Sequence, residues 1–131
     1  EVAGVALGDR VACAGAGHAN HAEIVAVPGN LFVAVPKGVA VEDAAYVTLG
    51  AIAMHGLRQA DQQIGATLLI VGLGLVGQIA LQLAKAAGLK TVGLDLDERK
   101  LELARKMGEV HAATPDDDGL VAAVQSALPS P

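Results

Sequence analysis

Apolar positions in the middle of the chain follow first a strand pattern and then a helix pattern. Residues 67–71 form an unbroken apolar run with three β-branched side chains, which predicts a parallel strand covered on both faces. A helix is predicted next, because apolar residues recur at steps of three and four until Gly88, which is expected to end it. The predicted inward stripe of this helix is Val76, Ile79, Ala80, Leu83 and Ala87.

The alternation of strand and helix continues toward the end of the chain. A second strand is predicted at 90–94, and Asp97 can cap a second helix that Gly108 ends. A third strand is predicted around 110–113, and the acidic residues 116–118 start a last helix. This order of elements is the first half of a doubly wound parallel sheet, an α/β fold. The predicted inward positions are Leu101, Ala104 and Met107 in the second helix and Leu120, Val124 and Leu128 in the last.

The first forty residues follow a β pattern instead. Short apolar runs at 11–13, 22–27 and 31–35 are separated by turns rich in glycine and proline, and they predict three strands. The segment 36–38 marks a boundary, so we predict one domain over 1–40 and a second over 41–131. A helical stretch is expected to open the second domain at Val41. Its apolar stripe is Leu49, Ile52, Ala53, Gly56 and Leu57.

Composition narrows the classes of partner. Over 131 residues, 53% are hydrophobic, which is ample for a buried core. Phe32 and Tyr46 are the only aromatic residues and the net charge is −5, which argues against a nucleic-acid partner. No apolar run approaches the length of a membrane span. The single cysteine, Cys13, excludes an internal disulfide and fits the cytoplasm, so a cytoplasmic protein with a small-molecule substrate is expected.

The motif that carries chemistry joins the strand at 67–71 to its helix. Gly72, Gly74 and Gly77 have the spacing G-x-G-x-x-G, which permits a tight turn, close approach of a pyrophosphate and close packing of helix on strand. The free amides of the first helical turn, including those of Leu75 and Val76, would then face the phosphates. The motif predicts a dinucleotide site. The alternative is a glycine-rich turn of another α/β protein, such as a methyltransferase.

Asp95 follows the second predicted strand, about twenty positions after Gly74. A carboxylate at that position accepts hydrogen bonds from ribose hydroxyls and repels a 2′-phosphate, so it predicts NAD over NADP. Arg99 and Lys100 come shortly afterwards. They are either cations that could hold a phosphate or solvated residues of the helix.

Four residues near the start of the chain are of types that bind metals. Cys13, His18, His21 and Glu23 lie close together in sequence. The alternative is that Cys13 is a small strand residue and that the histidines flank a substrate cleft, where His18 or His21 could act as an acid or base. We favour the second interpretation and predict no metal site from these residues.

These features together resemble the medium-chain dehydrogenase/reductase family, the superfamily of zinc alcohol dehydrogenases and quinone oxidoreductases. The resemblance extends over nearly the whole chain. It implies that residues 1–40 are the end of a GroES-like catalytic domain and that residues 41–131 are the first half of a Rossmann domain that binds NAD. The matching positions are 8–11, 21–23, 36–39, Ala44, Ala45, Gly65, the glycine turn with Gln82 and Ala84, and Asp95.

The resemblance also implies particular site residues. The family's third catalytic zinc ligand falls at about Thr48, and threonine is a poor zinc ligand. The structural zinc lobe of four cysteines has no counterpart, since Cys13 stands alone, so zinc is not expected here. Lys100 falls where zinc alcohol dehydrogenases carry a lysine that contacts the adenosine ribose. The candidate catalytic residues are therefore limited to His18, His21 and Thr48.

The resulting hypothesis is an oxidoreductase that transfers hydride between NAD(H) and an alcohol or carbonyl carbon, with a sugar-linked substrate as one option. Its rivals are a non-catalytic NAD(H)-binding module of a fused enzyme, a zinc-free, NADPH-dependent quinone or enoyl reductase, and an interaction fragment whose glycine turn binds no cofactor. The chain is expected to be part of a longer protein and catalytically incomplete by itself. The strand at 67–71 would then lie at a sheet edge, which favours a homo-oligomer or pairing with the remainder of the longer chain.

Overall fold

The computed structural model describes residues 4–63, 65–108, 111–114 and 116–127. The chain divides into two compact units, Glu1–Thr48 and Leu49–Pro131. The division falls eight residues beyond the boundary predicted from the Pro-Lys-Gly segment. Assignment of the first unit to a GroES-like domain stays a prediction.

The first unit contains one short antiparallel pair of strands. Strand β1 (Val11–Cys13) pairs with β2 (Phe32–Ala34), with Val11 opposite Ala34 and Cys13 opposite Phe32. The strand predicted at 22–27 is wrong, because β1 and β2 pair directly with each other and leave that run without ladder hydrogen bonds.

The helical stretch predicted from Val41 is divided into two helices. Helix α1 (Val41–Ala44) and helix α2 (Val47–Gln59) are separated at residues 45 and 46. Of the predicted stripe in α2, Ala53 is buried, whereas Ile52 is 54% exposed. Glu42 and Asp43 lie in the first turn of α1, where negative charge stabilises the start of a helix.

The second unit has an α/β fold in which strands and helices alternate along the chain. Its strands form a parallel sheet in the order β3-β4-β5. The predicted fold class is therefore confirmed. The register places Leu69 opposite Val92 and Leu94 opposite Ala113. The elements are β3 (Thr67–Val71), α3 (Leu75–Ala86), β4 (Lys90–Leu94), α4 (Glu98–Lys106), β5 (His111–Ala113) and α5 (Asp117–Ala127).

Among the strands that the structure describes, β4 is the buried centre of this sheet and β3 lies at an edge. Residues 91–94 of β4 are all buried, but Leu69 is 45% exposed and Val71 is 75% exposed. The prediction that residues 67–71 are covered on both faces is thus wrong, whereas their predicted place at the sheet edge is confirmed. Association through this edge stays a prediction.

Helix α3 buries a different face from the predicted one. Gln78, Leu81 and Ala84 are buried, whereas Val76 is 39% exposed and Ala87 is exposed. The predicted stripe is wrong because helix α3 meets β4 and the core through residues 78, 81 and 84, which recur at the same helical spacing. The other predicted positions of the stripe, Ile79, Ala80 and Leu83, are only partly buried.

The largest buried cluster joins the glycine turn to helices α3 and α4. It consists of Leu73, Leu81, Leu101 and Ala104, with Ile70 and Ala112 packed around it. The predicted inward positions Leu101 and Ala104 are confirmed. The third, Met107, is wrong because it lies at the C-cap of α4 and is 42% exposed. In α5 the predicted positions Leu120 and Val124 are partly buried, and Val110, Pro115 and Leu128 lie outside the described residues.

Among the residues described, the structure contains no helix with both the length and the apolar character needed to cross a membrane.

Candidate functional site

The three glycines of the turn between β3 and α3 meet different constraints. Gly72 has φ +92°, a conformation that other residues rarely adopt. A Cβ atom added to Gly77 would collide with the carbonyl oxygen of Gly72, so the helix can pack here only through a glycine. At Gly74 an added Cβ would meet no atom within 4 Å, which shows open space beside the turn. The turn therefore has the shape that a phosphate group can approach.

The backbone amides of the turn fall into two groups. The N–H of Gly72 donates to the Leu94 carbonyl oxygen at 2.8 Å, and the N–H of Leu73 donates to Asp95 Oδ2 at 2.7 Å. Within the described part of the chain, the N–H groups of residues 74–77 have no hydrogen-bond acceptor. They are the unpaired donors at the positive end of the helix dipole of α3, and they are able to bind an anion.

Asp95 lies directly after β4 and is held at both carboxylate oxygens. Oδ2 accepts from the Leu73 N–H, Oδ1 accepts from the Asp97 N–H at 2.9 Å, and Lys100 Nζ lies 3.2 and 3.3 Å from the two oxygens. The Asp97 N–H, followed by the Leu73 N–H and then Lys100, lowers the pKa of Asp95, although burial acts in the opposite direction. Asp95 is therefore an ionised carboxylate next to the glycine turn.

The two cations near Asp95 are both paired with carboxylates. Arg99 makes two contacts with Asp97, from Nε to Oδ1 at 3.1 Å and from Nη2 to Oδ2 at 3.0 Å. The side-chain and backbone hydrogen bonds from Arg99 lower the pKa of Asp97. Asp97 also caps α4, as predicted, through the Arg99 N–H. Lys100, whose side chain is 43% exposed, pairs with Asp95, whose side chain is 9% exposed.

A cavity of about 690 Å³ opens at the carboxyl ends of β3 and β4. Ligands of open α/β sheets bind outside the carboxyl ends of the strands, and this volume is within the range of small-molecule sites. The cavity includes both Asp95 and the start of the glycine turn. Its lining residues are Val71, Gly72, Leu94, Asp95, Leu96, Asp97, Glu98 and Lys100.

The structure brings the predicted glycine turn, Asp95 and Lys100 together in the second unit. The predicted catalytic candidates His18, His21 and Thr48 belong to the first unit. His18 and His21 are exposed, and the structure shows no side-chain hydrogen bond to orient either ring among the residues it describes. Their roles stay predictions.

No group of three or more His, Cys, Asp or Glu side chains able to hold a metal ion occurs in the described ranges. The prediction that the chain carries no metal stays a prediction.

One polar residue next to the site was missed from the sequence. Gln78 directly follows the third glycine and is only 5% exposed. Its side-chain Nε2 donates to the carbonyl oxygens of Leu73 and Lys100. Its spacing from Leu81 and Ala84, three and six positions later, puts it on the same face of α3 as these two residues, and the structure shows that this face is the buried one.

Comparison with known proteins shows that the chain is similar to dehydrogenases. Residues 76–129 match the family model described as zinc-binding dehydrogenase. D-guloside 3-dehydrogenase of Escherichia coli strain K12 is 39% identical over 75 residues, which are 56% of this chain and 21% of that protein. Sorbitol dehydrogenase of Bacillus subtilis strain 168 is 36% identical over 78 residues, which are 59% of this chain and 22% of that protein.

A solved structure of a dehydrogenase is also similar to this chain. L-idonate 5-dehydrogenase of E. coli superposes with a TM-score of 0.63 at 28% identity, covering 70% of this chain and 27% of that one. These similarities confirm the predicted resemblance to the medium-chain dehydrogenase/reductase family. It spans about a fifth of the length of the curated relatives just described.

Proposed function

We propose that this chain supplies the site for the adenosine half of NAD(H) in an oxidoreductase that transfers hydride between NAD(H) and an alcohol or carbonyl carbon. The observation that carries the proposal is the ionised Asp95, whose Oδ2 lies 2.7 Å from the backbone nitrogen of Leu73 in the glycine turn and which lines one cavity with Gly72. A dinucleotide needs donors for its pyrophosphate and an acceptor for its ribose, and both lie here side by side.

The residues present fit such a cofactor. The unpaired amides of Gly74, Leu75 and Val76 would hold the pyrophosphate, and the space beside Gly74 leaves room for it. Asp95 would accept hydrogen bonds from the ribose hydroxyls, with Lys100 at its side. When bound, the nicotinamide ring of the cofactor supplies the hydride chemistry, and the residues of this chain bind and orient the other half of the molecule.

Charge at the site supports NAD over NADP. A 2′-phosphate would approach the Asp95 carboxylate, which the lowered pKa keeps negative. Both nearby cations already have carboxylate partners, Arg99 with Asp97 and Lys100 with Asp95. A bound 2′-phosphate would therefore have to compete with these carboxylates for each cation.

The relatives support a polyhydroxylated alcohol as substrate. The three proteins compared above are named for a guloside, sorbitol and idonate, which are all of the sugar type. We propose a secondary alcohol of a sugar or polyol. His18 and His21 stay the candidates for an acid or base, with Thr48 at the position of a family zinc ligand.

The test is a parallel fluorescence titration with NADH and NADPH on the wild-type protein and on Asp95→Ala. The wild-type protein is expected to bind NADH more tightly than NADPH, and Asp95→Ala is expected to reduce the difference between the two affinities. Glu102→Ala is the matched control, because Glu102 is an exposed acid of helix α4 that is not among the residues lining the cavity. A wild-type protein that binds neither dinucleotide would contradict the proposal. If Glu102→Ala changed the preference for NADH over NADPH as much as Asp95→Ala does, the preference would depend on the net charge of the protein and not on Asp95.

One observation favours the NADPH-dependent alternative. The side chain of Arg99 is 89% exposed, and an ion pair so open to solvent contributes little to stability. A 2′-phosphate could therefore take Arg99 from Asp97 at small cost. Tighter binding of NADPH than of NADH by the wild-type protein would support a reductase of that type.

A further inference from the structure

Gln78 connects the glycine turn to helix α4 from a buried position. Its side-chain Nε2 donates to the Leu73 carbonyl oxygen at 3.2 Å and to the Lys100 carbonyl oxygen at 2.9 Å. The residue is 5% exposed. One amide group thus contacts the turn that faces the phosphates and the helix that carries Lys100.

The other end of the same amide has no partner. Gln78 Oε1 is buried and accepts no hydrogen bond from the residues that the structure describes. Rotating the amide by half a turn would place this oxygen against two carbonyl oxygens, so the orientation with Nε2 toward them is the favourable one. A buried acceptor without a donor is costly, and a methionine of similar shape would avoid that cost. The amide therefore contributes through its two donated hydrogen bonds rather than through packing.

The hydrogen bond to the Leu73 carbonyl also orients the next amide. The structure has no cis peptide bond among the residues described, so the C=O and N–H of the Leu73–Gly74 peptide group point in opposite directions. Because the C=O points to the buried Gln78, the Gly74 N–H points to the other side of the turn. Gly74 is exposed there and has open space around it.

Leu73 is held on three sides, which opposes rotation of this peptide group. Its N–H is bound to Asp95, its C=O is bound to Gln78, and its side chain is 1% exposed. The side chain also packs on β4, where a Cβ added to Gly93 would lie 3.0 Å from Leu73 Cδ1. Without the Gln78 hydrogen bond, the C=O is the one group of Leu73 free to turn outward.

We propose that Gln78 is a positioning residue that keeps the Leu73–Gly74 peptide group with its N–H directed toward the pyrophosphate of the bound dinucleotide. This inference rests on the proposed NAD(H) site. A rotated peptide would present the Leu73 carbonyl oxygen to the phosphates and replace an attraction by a repulsion. A donor that is already oriented needs no rearrangement when the ligand arrives.

The test is Gln78→Met in the full-length protein, with adenosine and ADP-ribose as probes that displace bound NADH. ADP-ribose carries the pyrophosphate and adenosine does not. We expect ADP-ribose affinity to fall about tenfold, the effect of one hydrogen bond to a charged group, with adenosine affinity unchanged within about twofold. Equal weakening of both probes, or no weakening of either, would overturn the proposal.

Two control variants separate positioning from a structural effect. Gln82→Met is the same substitution one turn along α3, where Nε2 of Gln82 donates to the Gln78 carbonyl oxygen and to no other acceptor among the described residues. Val92→Ala removes buried volume from the centre of β4, where Val92 is fully buried. Neither variant should change the ratio of the two affinities. A wild-type protein that binds no NADH would refute the proposed function itself, whereas a failure confined to Gln78→Met refutes only this inference.

A measurement on the wild-type protein covers the case in which Gln78→Met does not fold. The Gly74 amide resonance is expected to shift on addition of ADP-ribose and to stay in place on addition of adenosine. An unshifted Gly74 resonance with saturating ADP-ribose would overturn the proposal without any variant.

Discussion

Gly77→Ala is expected to destabilise the fold, whereas Gly74→Ala is expected to leave it intact. Both positions belong to the same turn, and both substitutions add one methyl group. At Gly77 the new Cβ would collide with the backbone carbonyl oxygen of Gly72, which is not a flexible side-chain end. At Gly74 the new Cβ meets nothing within 4 Å, and φ there is −67°, which alanine adopts readily.

The magnitude at Gly77 follows from two opposing effects. Overpacking of a tight interior contact costs about 3 kcal/mol at the upper end of its range, and a backbone contact belongs at that end. Replacing glycine by alanine inside a helix returns about 1 kcal/mol. The free energy of unfolding should therefore fall by about 2 kcal/mol for Gly77→Ala, with no measurable fall for Gly74→Ala.

The assay is urea unfolding followed by circular dichroism, combined with NADH titration of each folded variant. Gly74→Ala should lose NADH affinity at unchanged stability, because the methyl group occupies the space that the pyrophosphate approaches. A Gly77→Ala protein as stable as the wild type would refute the close contact with Gly72. A Gly74→Ala protein with full NADH affinity would refute the assignment of the turn to the phosphates.

Two further predictions concern the core and the pH dependence of stability. Leu101→Ala removes a fully buried side chain from the core cluster. The free energy of unfolding, measured by urea titration, should fall by about 3 kcal/mol. The control is Leu103→Ala, which should have a smaller effect because Leu103 is 43% exposed on the same helix α4. The pKa of Asp95 is lowered in the folded state, so its stabilising contribution is present above the ordinary carboxyl pKa of about 4 and is lost as the pH falls through the lowered value. The free energy of unfolding should therefore be measured from about pH 7 down to about pH 3, the range in which carboxyl groups titrate. It is expected to fall less over this range for Asp95→Asn than for the wild type. An unchanged slope in that variant would contradict the assigned hydrogen bonds.

Features that depend on residues close together in sequence were predicted well. The order of strands and helices from Thr67 onward is confirmed, because each element depends on its own periodicity and on glycines at its ends. Asp97 caps α4 as predicted, since a cap and the N–H it accepts lie two residues apart. Asp95 comes directly after β4, and β4 runs parallel to β3. The carboxyl ends of the two strands therefore lie side by side, which brings Asp95 next to the glycine turn that follows β3.

Features that depend on which elements meet were predicted poorly. The run 22–27 has strand-forming residues but no partner strand, so it forms no strand. The apolar stripe of α3 was assigned to the wrong face, because Gln78 and Leu81 share the face that packs on the core. Gln78 lies on that buried face because its amide donates hydrogen bonds to the carbonyl oxygens of Leu73 and Lys100.

The sequence by itself determined the alternation of strand and helix, the glycine turn and the position of Asp95, because these depend on local spacing and on conformations available only to glycine. The tertiary structure decided which face of α3 is buried, and that Asp95 binds Leu73 while Gln78 binds Lys100. Those features arise from contacts between residues about twenty or more positions apart, as between Leu73 and Asp95, and no local pattern specifies them.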